Sequence, residues 1–569
     1  MKLKTIVSSV ALALSAFSAN ALTLNVVTNP LQPESASNPA VPHEVIYLSG
    51  ATAPDNFLQD IATSIFTGTP TYYENRNGAD RDFRAFAGTV AAGLPLAGQR
   101  VLFIKRSRGG SVWGVNPVAR AQKVFTINVN ACSAGAGTTG SPFICDAFGI
   151  DPGNPGATGL GNTGFVPDFG VSDVEPAMFK EPLNTENDQL QLDASETARV
   201  PGIAVNSLMM GIVATNAVPA TTTLTRAAYG SMLQGFIDDW SKVDSTLSGP
   251  VVVCRRVEGS GTQTSYNWYF HNFPCGSAVG ASTEPARFFS SAGYNGEYTS
   301  TAIPPTEENP AGSANNPFLI DATAGYTVVE NPTSGDVRQC LNRAQLGQSH
   351  TVKIYDPNLP TQFGDKTFPE GGPQEVFYRW NFPAASKAIG TLSLDSYTNA
   401  LTFPDANGGG SGTFSFRYMD GAGVFNARNQ TLVAGPGTGT APSKANLISG
   451  RYDFVAELTM QYRTVAVTNE QGEAIDPPTG AKLEFIKNFI AFAGSPRYTG
   501  NWDASNGSAP YRLGTAINSA ANAYASLPTE GLFPDLKAPG DVSIGDFFVT
   551  KYSRAGNTCR PPQFFGNGQ

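Results

Sequence analysis

The stretch Val200–Thr215, "VPGIAVNSLMMGIVAT", constrains the fold more than any other part of the chain. From Ile203 onward it is almost continuously apolar, yet it falls short of the ~20 residues needed to cross a membrane. A short run of this kind reads as a strand covered on both faces, which happens inside an α/β protein with helices packed against its sheet. Its surroundings agree. "EVIYLSG" (Glu44–Gly50) is strand-like and ends in glycine, and "DNFLQDIATSIF" then places Phe57, Leu58, Ile61, Ile65 and Phe66 at helical spacing. "RVLFIKRSRGGS" (Arg100–Ser111) runs from strand into loop. "TRAAYGSMLQGFIDDW" is helical through Ala228, Met232, Leu233 and Phe236, and "AKLEFIKNFIAFAG" is a helix stopped by Gly494. Repeated strand–loop–helix units predict an α/β architecture with mostly parallel sheets.

At 569 residues the chain is too long for one ordinary core, so two or more lobes are expected. It carries 60 glycines and 41 prolines, many of them in tracts such as "SAGAGTTGSP", "DPGNPGATGLGNTG", "PDANGGGSGT" and "GPGTGTAPS", which read as loop insertions. The formal charge of −9 argues against nucleic acid, which needs a basic face. It leaves room for a local anion site made of a few side chains and backbone N–H groups.

The first 21 residues read as a signal peptide: Lys2 and Lys4, an apolar stretch, then Ala19-Asn20-Ala21 as a cleavage site. Cleavage predicts a periplasmic or secreted protein without a transmembrane segment, and loss of the two lysines takes the formal charge from −9 to −11. Six cysteines suit such a compartment and allow fifteen pairings, of which Cys132–Cys145 closes a short Gly/Ser/Thr loop and is the one expected. There is no C-x-x-C, and His43, His271 and His350 stand apart in sequence, so no metal site and no cofactor are expected.

The segment "RRVEGSGT" (Arg255–Thr262) lies between the apolar run "PVVVC" and a helical pattern formed by Tyr266, Tyr269, Phe270 and Phe273. It therefore sits at a helix N-terminus, where free N–H groups and the helix dipole favour an anion. Glycines allow close approach of the backbone, Ser260 and Thr262 bring hydroxyls, and Arg256 brings a fork suited to an oxyanion. The plain alternative is a helix cap. Arg255 faces the other side of its strand. Three more small-residue turns carry a hydroxyl or a carboxylate: Gly50-Ala51-Thr52, Ser107-Arg108-Gly109-Gly110, and Asp168-Phe169-Gly170-Val171-Ser172-Asp173.

Together, and in this order, these four stretches resemble the motifs of the periplasmic phosphate-binding proteins of phosphate ABC transporters. The resemblance implies a two-lobed periplasmic-binding-protein fold with a ligand cleft between the lobes, enlarged here by loop insertions. It implies lobe one at 22–200 and 450–569 and lobe two at 201–449, with "VPGIAVNSLMMGIVA" crossing between them. It further implies that Thr52, the N–H of Ala53, Ser107, Arg256, Ser260, Gly261 and Thr262 donate to inorganic phosphate, that Asp173 accepts the phosphate proton, and that Glu258 orients Arg256 through an ion pair. The expected protein is a monomeric binding protein and not an enzyme, with an ABC permease as its candidate partner. The alternatives are a secreted structural or interaction protein on the same scaffold, and a secreted phosphatase-like protein. The chain departs from the family at Glu258, where aspartate is usual, and at Ala53, where phenylalanine is usual. Lys105, Arg106 and Arg108 also make the Ser107 loop unusually basic, as anion attractors or as solvated surface.

Overall fold

The computed structural model describes residues 43–77, 80–148, 164–185, 189–276, 300–301, 303–306, 308–309, 312–322, 325–355, 375–398, 412–494, 523–527 and 550–564. The signal segment and most of the tracts 151–164 and 404–413 lie outside them. In chain order the elements used below are β1 (His43–Gly50), α1 (Asp55–Ser64), β2 (Thr71–Asn77), β3 (Asp80–Thr89), β4 (Arg100–Arg106), β5 (Thr126–Ala134), β6 (Phe143–Phe148), β7 (Phe169–Ser172) and β8 (Ile203–Thr215). After these come α2 (Arg226–Leu233), β9 (Val252–Arg256), α3 (Gly261–His271), β10 (Thr327–Asn331), α4 (Ser334–Leu346), β11 (Ala388–Ser393), β12 (Val455–Tyr462) and α5 (Gly480–Gly494).

The molecule is mixed α/β, built on one large sheet in the order β10-β9-β11-β8-β12-β7-β1-β4-β3-β2-β6-β5. The apolar run behaves as its composition requires: β8 is buried from Val205 to Thr215. Its two ends belong to different surroundings. Residues 203–209 pair with β12, and residues 206–208 also pair with Tyr524–Ser526. Residues 210–214 pair with β11, and residues 213–215 with Phe414–Phe416. One strand thus runs from a first half, containing β1–β7 and β12, into a second half, containing β9–β11. Helices cover the sheet with the faces their spacing supplies. In α1 the buried residues are Phe57, Leu58, Ile61 and Ala62, and in α5 they include Phe485, Ile486, Phe489 and Ile490. Phe489 stacks on Phe103 of β4 with ring centroids 4.9 Å apart.

The sheet is not mostly parallel. β1 runs parallel to β4 and β7, and β9 runs parallel to β10 and β11. However, β8 is antiparallel to both β12 and β11, and β2, β3 and β4 form an antiparallel meander. The hairpins, the crossing strand and the β7–β12 pair carry the antiparallel ladders, and β2 pairs with β6 in parallel. One local expectation also changes. The α2 helix ends at Leu233, because Gly235 takes a φ of +77°, and Phe236 is left 68% exposed instead of lying on the buried face. Residues 135–142 close the β5–β6 hairpin, which the Cys132–Cys145 disulfide ties together as expected.

Two further disulfides join distant parts. Cys254–Cys340 fastens β9 to α4, and Cys275–Cys559 fastens the end of α3 to the C-terminal tail. The tail residues 550–564 also reach the first half. Glu457 accepts from the N–H groups of Arg554 and Gly556 at 2.6 and 2.8 Å, and Glu175 accepts from the N–H of Thr558 at 2.8 Å. Arg554 lies over the Trp268 ring of α3, 4.5 Å from its centroid. Among the described residues, no helix is long and apolar enough to cross a membrane.

Candidate functional site

In the first half, β1 stops at Gly50 with a φ of +127°, and a Cβ there would stand 2.0 Å from the carbonyl oxygen of Val171 in β7. Only glycine fits. The next N–H, that of Ala51, donates to the same carbonyl at 3.0 Å, so the turn carrying Thr52 is sewn to β7 just ahead of α1. Beside it, β4 delivers Ser107. The parallel register sets Leu48 against Lys105, which brings the ends of β1 and β4 together.

Lys105 and Arg106 are buried at 3% and 1% exposure, which settles their reading against solvated surface. Lys105 Nζ donates to the carbonyls of Gly50, Ala51 and Arg106 at 3.2, 3.0 and 2.8 Å, and to Ser107 Oγ at 3.1 Å. It also pairs with Asp55 Oδ1 at 3.1 Å. Burial pulls the lysine's pKa down and the Asp55 charge opposes that pull. The guanidinium of Arg106 covers the Trp113 ring at 4.4 Å, and that of half-buried Arg108 lies over Phe125 at 5.4 Å.

Asp173 follows β7 and is 1% exposed. Its N–H donates to Ser111 Oγ at 3.2 Å, and its Oδ2 accepts from the Thr262 hydroxyl at 3.1 Å. Its Oδ1 is buried and finds no hydrogen-bond partner among the described residues. Burial pushes this carboxyl up to about 6, against the Arg256 charge, the Thr262 bond and the Lys105 charge, while the Asp55 charge adds to the rise. Asp168, which opens the same motif, is structural: it accepts from the Tyr47 N–H at 2.8 Å and pairs with Lys482 of α5 at 2.8 Å.

In the second half, β9 aims its two arginines in opposite directions. Arg255 pairs with Glu330 of β10. Arg256 turns toward the first half, its Nη1 donating to Thr52 Oγ1 at 3.0 Å and to Ser334 Oγ at 3.2 Å. The carbonyls of Asn331 and Pro332 accept from its Nε and Nη2 at 3.2 and 2.7 Å. Glu258 sits in the turn beyond, and its charge acts on Arg255. Ser260 is the N-cap of α3, accepting from the Gln263 N–H at 3.5 Å, so cap and anion loop share one residue. Gly261 sets the distance between the halves: a Cβ there would lie 2.3 Å from Ser111 Oγ and 2.7 Å from Asp173 Cβ.

The structure therefore brings Thr52, Asp173, Arg256, Ser260, Gly261 and Thr262 together from both halves. Ala53 lines the same corner, its carbonyl accepting from Ser393 Oγ at 3.3 Å. Ser107 is beside them, but its hydroxyl donates to Asp55 Oδ1 at 2.9 Å. Asp55, Ser111 and Ser334 were missed in the sequence, whereas Lys105 was noted there as part of the basic Ser107 loop. The signal for Ser334 was present in "TSGD", since Thr333 and Asp336 form a reciprocal cap at the start of α4. Another buried carboxylate, Asp395, accepts from the Tyr524 hydroxyl at 2.8 Å and from Asn56 Nδ2 at 3.3 Å, and burial pushes it up to about 7. Among the described residues, no group of three or more His, Cys, Asp or Glu side chains is arranged to hold a metal ion.

Several solved structures resemble the chain, some of them described as phosphate-binding proteins. One, described as a DING protein, is 14% identical with a TM-score of 0.35, over 84% of this chain and 90% of that one. A human phosphate-binding apolipoprotein is 13% identical with a TM-score of 0.35, over 84% and 90%. PstS from Borrelia burgdorferi is 10% identical with a TM-score of 0.27, over 80% and 93%. No family model and no curated protein matches the chain. A likeness this slight leaves the chemistry to the residues themselves.

Proposed function

We propose that this chain is a non-catalytic, exported binding protein that holds inorganic phosphate between its two halves. The observation that carries this reading is Asp173, a buried carboxylate with one oxygen unpartnered, set among hydroxyl donors and opposite Arg256. Phosphate at neutral pH still carries a proton to give such an oxygen. Sulfate carries none, and would leave two acceptors facing each other unpaired. Thr52, Ser107, Arg256, Ser260, Thr262 and the first N–H groups of α3 are the donors, joined by the Ser334 hydroxyl. Gly261 lets the two walls meet, and Glu258 supports the arginine loop.

Delivery to an ABC permease is the role this site suits. The tail bound to both halves favours a second reading, in which phosphate is retained by a secreted interaction protein. Calorimetric titration of the purified chain tests the proposal: phosphate binds and sulfate does not. Binding of neither anion sinks it. Steady turnover of phosphomonoesters would overturn the non-catalytic part.

A further inference from the structure

Ser107 has one proton to give. It gives it to Asp55 Oδ1 at 2.9 Å, while its oxygen accepts from Lys105 Nζ at 3.1 Å. Lys105 Nζ stands 3.1 Å from the same Asp55 oxygen. The three groups close a triangle in which a carboxylate of the chain, held by Lys105, takes the Ser107 proton that an oxyanion would use. Resting on the phosphate reading, we propose that Asp55 is a built-in competitor for the anion, and that it sets how tightly the site binds.

Three observations favour competition over a purely structural pair. First, the Asp55 side chain lies at the rim, at 14% exposure, while its partner Lys105 is at 3%. Second, Lys105 has the Gly50, Ala51 and Arg106 carbonyls within 3.2 Å, so its ammonium stays satisfied when Asp55 lets go. Third, Asp55 acts on the site itself, since its charge raises the proton affinity of Asp173. Asp55 is already paired with Lys105 at 3.1 Å, and Asp173 lies within the field of Arg256. An arriving anion therefore competes with a carboxylate that the chain already holds against Lys105 and Ser107. Asp173 then decides which anion binds, and Asp55 decides how strongly any anion binds.

Calorimetric titration of the full chain with phosphate and with sulfate tests this in wild type, Asp55→Asn and Asp55→Ser. Folding of each is checked by circular dichroism and thermal unfolding, and the serine variant guards against an asparagine that still holds Ser107. Releasing donors from a charge-assisted hydrogen bond tightens phosphate binding by about tenfold or more. Any sulfate affinity rises in proportion, so the ratio of the two stays the same. Phosphate binding by a folded variant where wild type shows none supports the proposal as well. Phosphate bound by wild type but equally or more weakly by the folded variants overturns the competitor role and leaves the phosphate reading standing. No phosphate binding by wild type or either variant overturns both.

Discussion

At the scale of single residues, Asp173 carries the selectivity. Asp173→Asn replaces an acceptor with a group that also donates. Phosphate binding then weakens by about ten- to a hundredfold, the cost of one charged hydrogen bond, and discrimination against sulfate relaxes; titration showing unchanged selectivity would remove Asp173 from its assigned role. Gly261 is a steric limit. Gly261→Ala places a methyl 2.3 Å from Ser111 Oγ, so the halves separate and stability falls by about 1–3 kcal/mol, read by denaturant unfolding. The buried acids also give a pH signature. Asp173 at about 6 and Asp395 at about 7 hold protons in the folded chain that an unfolded chain releases near ~4. Their contribution to stability is full below about 4 and is lost as pH rises through 6 and then 7. Asp395→Asn flattens that decline in thermal unfolding; a profile that keeps its slope refutes the assignment. The sequence displayed the loop residues but not their neighbours. Lys105 lies near the end of β4 beside other basic residues, which in sequence reads as an anion attractor or as solvated surface. Its burial depends on carbonyls at the end of β1, and only the β1–β4 pairing brings these within reach.

At the scale of elements, the helix starts were the most legible parts. Local chemistry fixes them: Ser260 caps α3, and Thr333 with Asp336 caps α4. Thr333→Ala costs about 1 kcal/mol of stability. Because the capped turn also holds Ser334 against Arg256 and Thr52, phosphate affinity falls alongside; an undisturbed affinity would separate Ser334 from the site. Strand direction was not legible. Apolar runs state that a strand is buried, but not which neighbours it takes. For β8, neighbours come from residues 388–393, 414–416, 455–460 and 524–526, all far along the chain. Its identity as the strand that runs from one half into the other follows from that pairing, and composition alone supplied only its burial.

At the scale of the whole molecule, the α/β class and the two-part plan were open to sequence reading because four loop motifs recur in one order on strand–helix turns. The architecture of the tail was not, since nothing near Cys559 indicates which of five other cysteines it meets. The pairing it makes, with Cys275 at a separation of 284 residues, has a consequence for how the chain breaks. A protease that cuts once anywhere between those two positions produces fragments that remain one covalent object. On a non-reducing denaturing gel the nicked protein runs as a single species, and on a reducing gel it falls into two. A cut ahead of Cys254 and outside the Cys132–Cys145 hairpin gives two species on both gels, since no bridge spans it. Half of the polypeptide, including two of the four Gly/Pro-rich tracts, can therefore be severed from its neighbours in sequence without being lost.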